Sequence, residues 1–233
     1  MNILVTGNYD TGSSAVYDYL REFKGVEVPF NLEGYEHTIF YIQHGLIDLE
    51  NVLFGDSGYI SADAAIRNFL NISENIYKYD FKFYGGYKKY IGQEFLKMTY
   101  EFVDSISLKF NARTIGKIHK MRFSLVKGCG QILFAITKNY KIKNWGMAYK
   151  ADKGPGYVLK ARKEEFLEAK KKYIADYLRL CKTDSEITIY DHLLLPMNAE
   201  HLKDFPNDSK LILVERDPRD VYTLIRRHVI NNP

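Results

Sequence analysis

The chain has 233 residues, 46% of them hydrophobic and 27% charged, with a formal net charge of +4. That mixture excludes a disordered or fibrous chain and suffices for one substantial α/β domain, while the charge is too small a bias to make nucleic acid the partner. Cys129 and Cys181 are isolated thiols without metal-ligand spacing, which suits a reducing cytoplasm, and Cys129 between two glycines reads as a small buried residue. No apolar run approaches the roughly 20 residues of a membrane span. The first strand begins almost at Met1 with no charged leader, so neither secretion nor a membrane span is expected.

Ile3 to Val5 predicts a strand, and Val16, Tyr19, Leu20 and Phe23 recur at helical spacing after a turn bounded by Gly7 and Gly12. Gly25 closes that helix, and Val26 to Phe30 predicts a second short strand. Leu32 to Glu50 is irregular and then helical, carrying Glu33, Glu36, His37 and His44. Residues 60–145 are expected to be mainly helical and are rich in Tyr, Phe and Lys. Within them Arg113, Lys117, Lys120, Arg122 and Lys127 form a stretch almost free of acids, a solvated face or a surface that attracts anions. Gly154-Pro155-Gly156 is the clearest punctuation, and a long helix follows over Lys163 to Lys182, with its Lys170-Lys171-Lys172 run facing solvent. Ile187 to Tyr190 predicts a strand ending in Asp191 and His192, Asn198 to Leu202 a short helix, Lys210 to Val214 a strand, and Asp220 to Arg227 the helix after it. Strand and helix alternate at both ends. The expected architecture is a three-layer α/β fold, a parallel sheet flanked by helices, in one domain over residues 1–233 with a largely helical insertion at 60–160.

Two short motifs follow directly on apolar strands, at the edge where open α/β sheets bind ligands. The first is Gly7-Asn8-Tyr9-Asp10-Thr11-Gly12-Ser13-Ser14. A strand, a glycine-bounded loop and a helix start, in that order, let backbone N–H groups converge on an anion, with the hydroxyls of Thr11, Ser13 and Ser14 as further donors. The spacing of Gly7 and Gly12 matches a nucleotide-binding P-loop, but Ser13 stands where the lysine is required, which disfavours an ordinary ATPase or GTPase. A purely structural turn remains open. The second motif, Arg216-Asp217-Pro218-Arg219-Asp220-Val221-Tyr222, places Arg216 at a strand end, where its planar fork suits a terminal phosphate. The same residues also describe a salt-bridged helix start.

Together the motifs resemble the sulfotransferase family that uses 3′-phosphoadenosine 5′-phosphosulfate (PAPS), and within it the sulfotransferase-like proteins of bacterial surface-polysaccharide gene clusters. Thr11-Gly12-Ser13-Ser14 is similar to the loop that holds the 5′-phosphosulfate, and Arg216-Asp217-Pro218-Arg219-Asp220 to the segment that holds the 3′-phosphate. The resemblance covers about a fifth of the chain. It implies a P-loop-like fold, PAPS as cofactor, no metal, and transfer of a sulfuryl group to a hydroxyl of a carbohydrate or glycan precursor by a cytoplasmic enzyme.

Three departures bear on that transfer. Asp10 stands where the family has a basic residue that stabilises charge developing on the leaving phosphate oxygen. A carboxylate about 4 Å from that oxygen would cost roughly 4 kcal/mol at an effective dielectric near 20, about three powers of ten in rate. Asp10 is therefore expected to turn away, to pair with Arg216 or Arg219, or to mark a protein without transfer activity. The family's phosphate-binding serine falls at Leu224, leaving the neighbouring Thr223 as the hydroxyl. Pro233 ends the chain soon after the motif, which is what a C-terminal truncation would look like.

The acceptor hydroxyl needs a base, and relatives supply a Glu or His from the region after the second strand. Glu36 is the first candidate and His37 the second; both also fit ordinary surface residues at a helix start. His44, before Gly45, equally suits a helix cap. His119, His192, His201 and His228 lack ligand spacing, so no metal site is expected. Asp191-His192 is a secondary candidate for lining the site. Two alternatives to a sulfotransferase are a catalytically inactive nucleotide- or anion-binding module and an atypical P-loop kinase.

Overall fold

The computed structural model describes residues 1–8, 10–31, 37–55, 58–81, 84–110 and 156–231. Two compact units result, one of residues 1–107 with 159–233 and one of residues 108–158.

The first unit is built on four parallel strands, β1 (Asn2–Gly7), β2 (Val26–Glu27), β7 (Ile187–Asp191) and β8 (Ser209–Val214), in the spatial order β2-β7-β1-β8. The first strand of the chain therefore lies inside the sheet, flanked by its last two. Helix α1 (Ser13–Arg21) covers one face, where Tyr17, Val16 and Leu20 pack against Val5, Ile3, Ile189, Val26, Ile212 and Val214. Strand alternation sends Leu4 and Tyr190, both fully buried, to the other face. There the His37 ring meets Tyr190 at 5.1 Å, and its Nδ1 lies 2.7 Å from the Tyr177 hydroxyl on α6 (Lys163–Cys181). The parallel sheet flanked by helices is thus as the alternation of elements predicts.

Helices α2 (Leu46–Phe54), α3 (Gly58–Lys78), α4 (Tyr87–Tyr90) and α5 (Glu94–Ile106) complete this unit, with the short hairpin β3 (Asp80–Phe81) and β4 (Tyr84–Gly85) between them. Phe69, Phe102, Phe166 and Tyr173, from α3, α5 and α6, form an aromatic core of edge-to-face contacts with one tilted pair, Phe102 and Tyr173. The helical segment after residue 58 is in this way part of the sheet's own unit as far as Ile106. Strands β5 (Ser107–Phe110) and β6 (Gly156–Leu159) pair with each other, and within the second unit a Cβ on Gly156 would run into the Phe110 ring. The expected helices within 111–155, and the basic stretch there, lie outside the described residues.

Short 3₁₀ segments at Pro29–Asn31, Thr38–Phe40 and Pro196–Asp204 and the final helix α7 (Pro218–Asn231) make up the rest. The second strand is shorter than the run Val26 to Phe30 predicts. Pro29 offers no N–H to the ladder, and Phe30 turns into the left-handed region at φ 59. Among the described residues no helix is long and apolar enough to cross a membrane.

Candidate functional site

The two sequence motifs come together because of strand register. Gly7 pairs with Val214 across β1 and β8, so the glycine loop and the Arg216 segment leave the sheet side by side from the same carboxyl edge. Gly7 has no alternative: an added Cβ would collide with Thr11 Oγ1 and would lie 3.0 Å from both Ser13 Cβ and the Val214 carbonyl oxygen. The loop folds back on its own strand end, held by the Thr11 amide and hydroxyl, which donate to the Asn8 carbonyl at 3.2 and 2.7 Å. Gly12, at φ 94, is the left-handed residue that opens α1. Beyond it the first amides of α1 have no partner within the helix and carry the positive end of its dipole.

Ser13 is buried, whereas Asn8, Asp10, Gly12 and Ser14 are exposed, and Tyr9 lies outside the described residues. Thr11 commits its hydroxyl proton to the loop. Asp10 is turned outward at φ 60 and makes no ion pair among the described residues. Of the alternatives for Asp10 the outward turn is the one seen; pairing with Arg216 or Arg219 is not formed, and each arginine has a carboxylate closer in sequence.

Arg219 grips Asp217 with Nη2 to Oδ2 at 2.6 Å and Nε to Oδ1 at 3.0 Å, and Asp217 also accepts the Arg219 backbone N–H at 2.9 Å. That makes Asp217 the cap of α7, with Pro218 at the first helical position, where its missing N–H costs nothing. The Arg219 guanidinium holds the Asp217 carboxyl below its ordinary range. Arg216 is bound more loosely, its Nε 3.9 Å from Asp220 Oδ2, which leaves it as the arginine of the motif for an anion. Thr223 is exposed on α7, and its hydroxyl donates to the Arg219 carbonyl at 2.8 Å rather than toward a ligand.

Glu36 lies outside the described residues. His37 is not the surface residue its sequence context allows. It is 1% exposed, its Nδ1 is engaged by Tyr177, and burial pushes its pKa down to about 3. A general base works best with a pKa near the operating pH and within reach of substrate. His37 meets neither condition, and the structure assigns it to the core.

A different histidine stands at the site. Strand β7 ends at Asp191, buried beside Val5, and His192 follows with its amide donating to the Val5 carbonyl at 3.0 Å. His192 Nδ1 lies 2.7 Å from Asp191 Oδ1. A carboxylate accepts, so Nδ1 carries a proton; in the neutral ring Nε2 then bears the lone pair, which is how a carboxylate orients a histidine that serves as a base. The sequence signal was a buried strand ending in an acid and a histidine.

Backbone strain marks the same edge. The four described non-glycine residues with positive φ are Asp10 (60°), Phe30 (59°), His44 (67°) and His192 (48°). Three of them sit just past the carboxyl ends of β1, β2 and β7. His44 instead starts α2, where its amide donates to Asp48 at 2.7 Å. Such conformations cost about 1–3 kcal/mol each and cluster at functional sites.

One cluster outside this edge has metal-ligand character. Glu50, His201 and Asp204 bring their ligand atoms within 4.8 Å of one another. Lys170 occupies the middle, its Nζ 2.5 Å from Glu50 Oε2, 2.6 Å from Asp204 Oδ2 and 2.9 Å from His201 Nδ1. The ammonium donates to both carboxylates and supplies the positive charge a metal would bring, while His201 Nδ1 also lies 3.2 Å from Asp204 Oδ2. Lys170 is thus 1% exposed, against the expectation of a solvent-facing lysine run.

No family model, curated protein or solved structure matches the chain.

Proposed function

We propose that the chain is a PAPS-dependent sulfotransferase of P-loop-like fold, acting on a hydroxyl of a carbohydrate or glycan precursor. The observation that carries this reading is the Gly7–Val214 register, which sets an anion cradle and an arginine on one edge, as a nucleotide with phosphates at both ends requires. The glycine loop and the α1 N-terminus would take the 5′-phosphosulfate, and Arg216 the 3′-phosphate. His192 takes the place of His37 as the base this reading favours, and Glu36 lies outside the described residues. As the acceptor oxygen bonds to sulfur, the bond from sulfur to the 5′-phosphate oxygen breaks, and the acceptor's proton passes to His192 Nε2. Asp191 stabilises the imidazolium that forms.

Calorimetric titration of the full chain with 3′-phosphoadenosine 5′-phosphate tests the reading. Binding that weakens about tenfold or more in Arg216→Ala is expected, the loss of one charge-assisted contact. Absence of binding, or equal affinity in the variant, would overturn it.

A second reading, a nucleotide-binding module without transfer activity, is favoured by Asp10, whose carboxylate has no cationic partner among the described residues. Tight binding without transfer to any glycan, with transfer appearing in Asp10→Lys, would establish it.

A further inference from the structure

We propose that Glu50, His201 and Asp204 form a transition-metal site of the zinc class, whose centre is taken by the Lys170 ammonium and which accepts Zn²⁺ once that side chain is shortened. The site shares no residue with the edge proposed for the nucleotide, so its test is independent of that reading. One imidazole nitrogen and two carboxylate oxygens are a ligand set that suits borderline divalent ions, and a zinc site completed by water needs three protein ligands.

His201 and Asp204 are presented together by the 3₁₀ segment Pro196–Asp204, in which side chains three residues apart eclipse one another. Nδ1 and Oδ2 therefore stand 3.2 Å apart. From α2, Glu50 brings Oε2 to 3.9 Å from the same His201 nitrogen, and the ligand atoms of all three residues fall within 4.8 Å of one another. Ligand atoms about 2.1 Å from a tetrahedral ion lie about 3.4 Å from each other, so those two separations bracket what zinc requires. The ligands come from α2 and the 3₁₀ segment, whereas the ammonium comes from α6, so that shortening Lys170 removes the occupant and leaves the donors on their own elements. Charge favours the exchange as well. A single ammonium meets two carboxylates here, at 2.5 and 2.6 Å, and balances one of them, whereas a divalent ion balances both. The Glu50 and Asp204 side chains are only 13% and 2% exposed, which keeps bulk water from competing for the ligands.

Calorimetric titration and urea unfolding of the full chain, with Zn²⁺ as the probe, compare the parent with Lys170→Ala. The parent is expected to keep its urea midpoint when Zn²⁺ is added, because the ammonium holds the centre. Lys170→Ala is expected to bind Zn²⁺ at least about tenfold more tightly than the parent and to have its midpoint raised by the ion. Co²⁺ in that variant should give the strong visible absorption of a four-coordinate ion, and adding His201→Ala should weaken Zn²⁺ binding about tenfold or more. Where Lys170→Ala is unfolded in metal-free buffer, recovery of its helical circular dichroism on addition of Zn²⁺ reads the same event. A Lys170→Ala protein that gains neither stability nor folded structure from Zn²⁺, or gains no more than the parent, would overturn the site, as would Zn²⁺ binding that survives the loss of His201 unchanged.

Discussion

Asp191 and His192, neighbours in sequence, turn their side chains together so that Oδ1 and Nδ1 meet at 2.7 Å, although the backbone at His192 must enter the left-handed region to allow it. A strained backbone that orients an imidazole is what the proposed base requires. If the chain transfers sulfuryl groups as proposed, His192→Gln is expected to lower that rate by about 10²–10⁴ with nucleotide affinity unchanged. Asp191→Asn should act in the same direction, because an amide no longer fixes the ring proton on Nδ1. Steady-state rates with calorimetry on the same preparations check this. A His192→Gln enzyme within about threefold of the parent rate would exclude the dyad from the reaction.

The glycine loop makes a stability prediction as well as a binding one. Gly7→Ala introduces a Cβ against Thr11 Oγ1, Ser13 Cβ and the Val214 carbonyl, two of them parts of the loop and one the backbone of β8. It is expected to destabilise the protein by about 1–3 kcal/mol in urea and to abolish the proposed nucleotide binding, since the loop cannot close on its strand. Gly12→Ala meets no atom within 4 Å but must hold φ 94. Its cost is the left-handed penalty alone, about 1–2 kcal/mol. A Gly7→Ala protein that binds the nucleotide normally would show that the loop does not need its close approach to β8.

The sequence made legible what local chemistry controls. The apolar runs Ile187–Tyr190 and Lys210–Val214 announced the strands Ile187–Asp191 and Ser209–Val214, although β8 is an edge strand with Leu213 exposed, and the stripe of Phe166, Tyr173 and Leu178 after a glycine-proline stop announced the helix Lys163–Cys181. Helix α7 begins two residues before the expected Asp220 because Asp217 caps it and Pro218 fits its first turn. Register was not legible: nothing local announces that Gly7 and Val214 are partners. Neither was the left-handed turn at Phe30, nor the burial of His37, whose hydroxyl partner lies 140 residues away. Lys170 was misread for the same reason. In a run of three lysines the solvated face is the default, and its acceptors come from α2, 120 residues distant, and from the Pro196–Asp204 turn.

That cluster is where a single deletion should hurt most. Lys170→Ala leaves Glu50 and Asp204 facing each other in the interior without their counter-charge, and a cost of about 3–5 kcal/mol in urea unfolding is expected. Burial pushes the Asp204 carboxyl up, but the hydrogen bonds and charges of His201 and Lys170 outweigh it and hold the group at about 2. Since this lies below the unfolded value of about 3.9, the stabilisation is complete above about pH 4 and disappears as pH falls toward 2. Asp204→Asn should remove that acid-sensitive component. A Lys170→Ala protein within about 1 kcal/mol of the parent would mean that water already reaches the cluster.

His37 governs stability in a milder acid range. Its folded pKa is depressed by burial to about 3 from an ordinary value of 6.5. Between those limits the unfolded chain binds a proton that the folded chain refuses, so stability falls as pH is lowered, by about 1.4 kcal/mol per pH unit from this residue. His37→Gln can keep a hydrogen bond to Tyr177 while removing the titration. The variant is expected to be less stable than the parent near neutral pH, yet to show a flatter loss between about pH 6.5 and 4. Urea unfolding at several pH values measures both slopes. Equal slopes would mean that His37 takes up its proton in the folded protein, which requires solvent access.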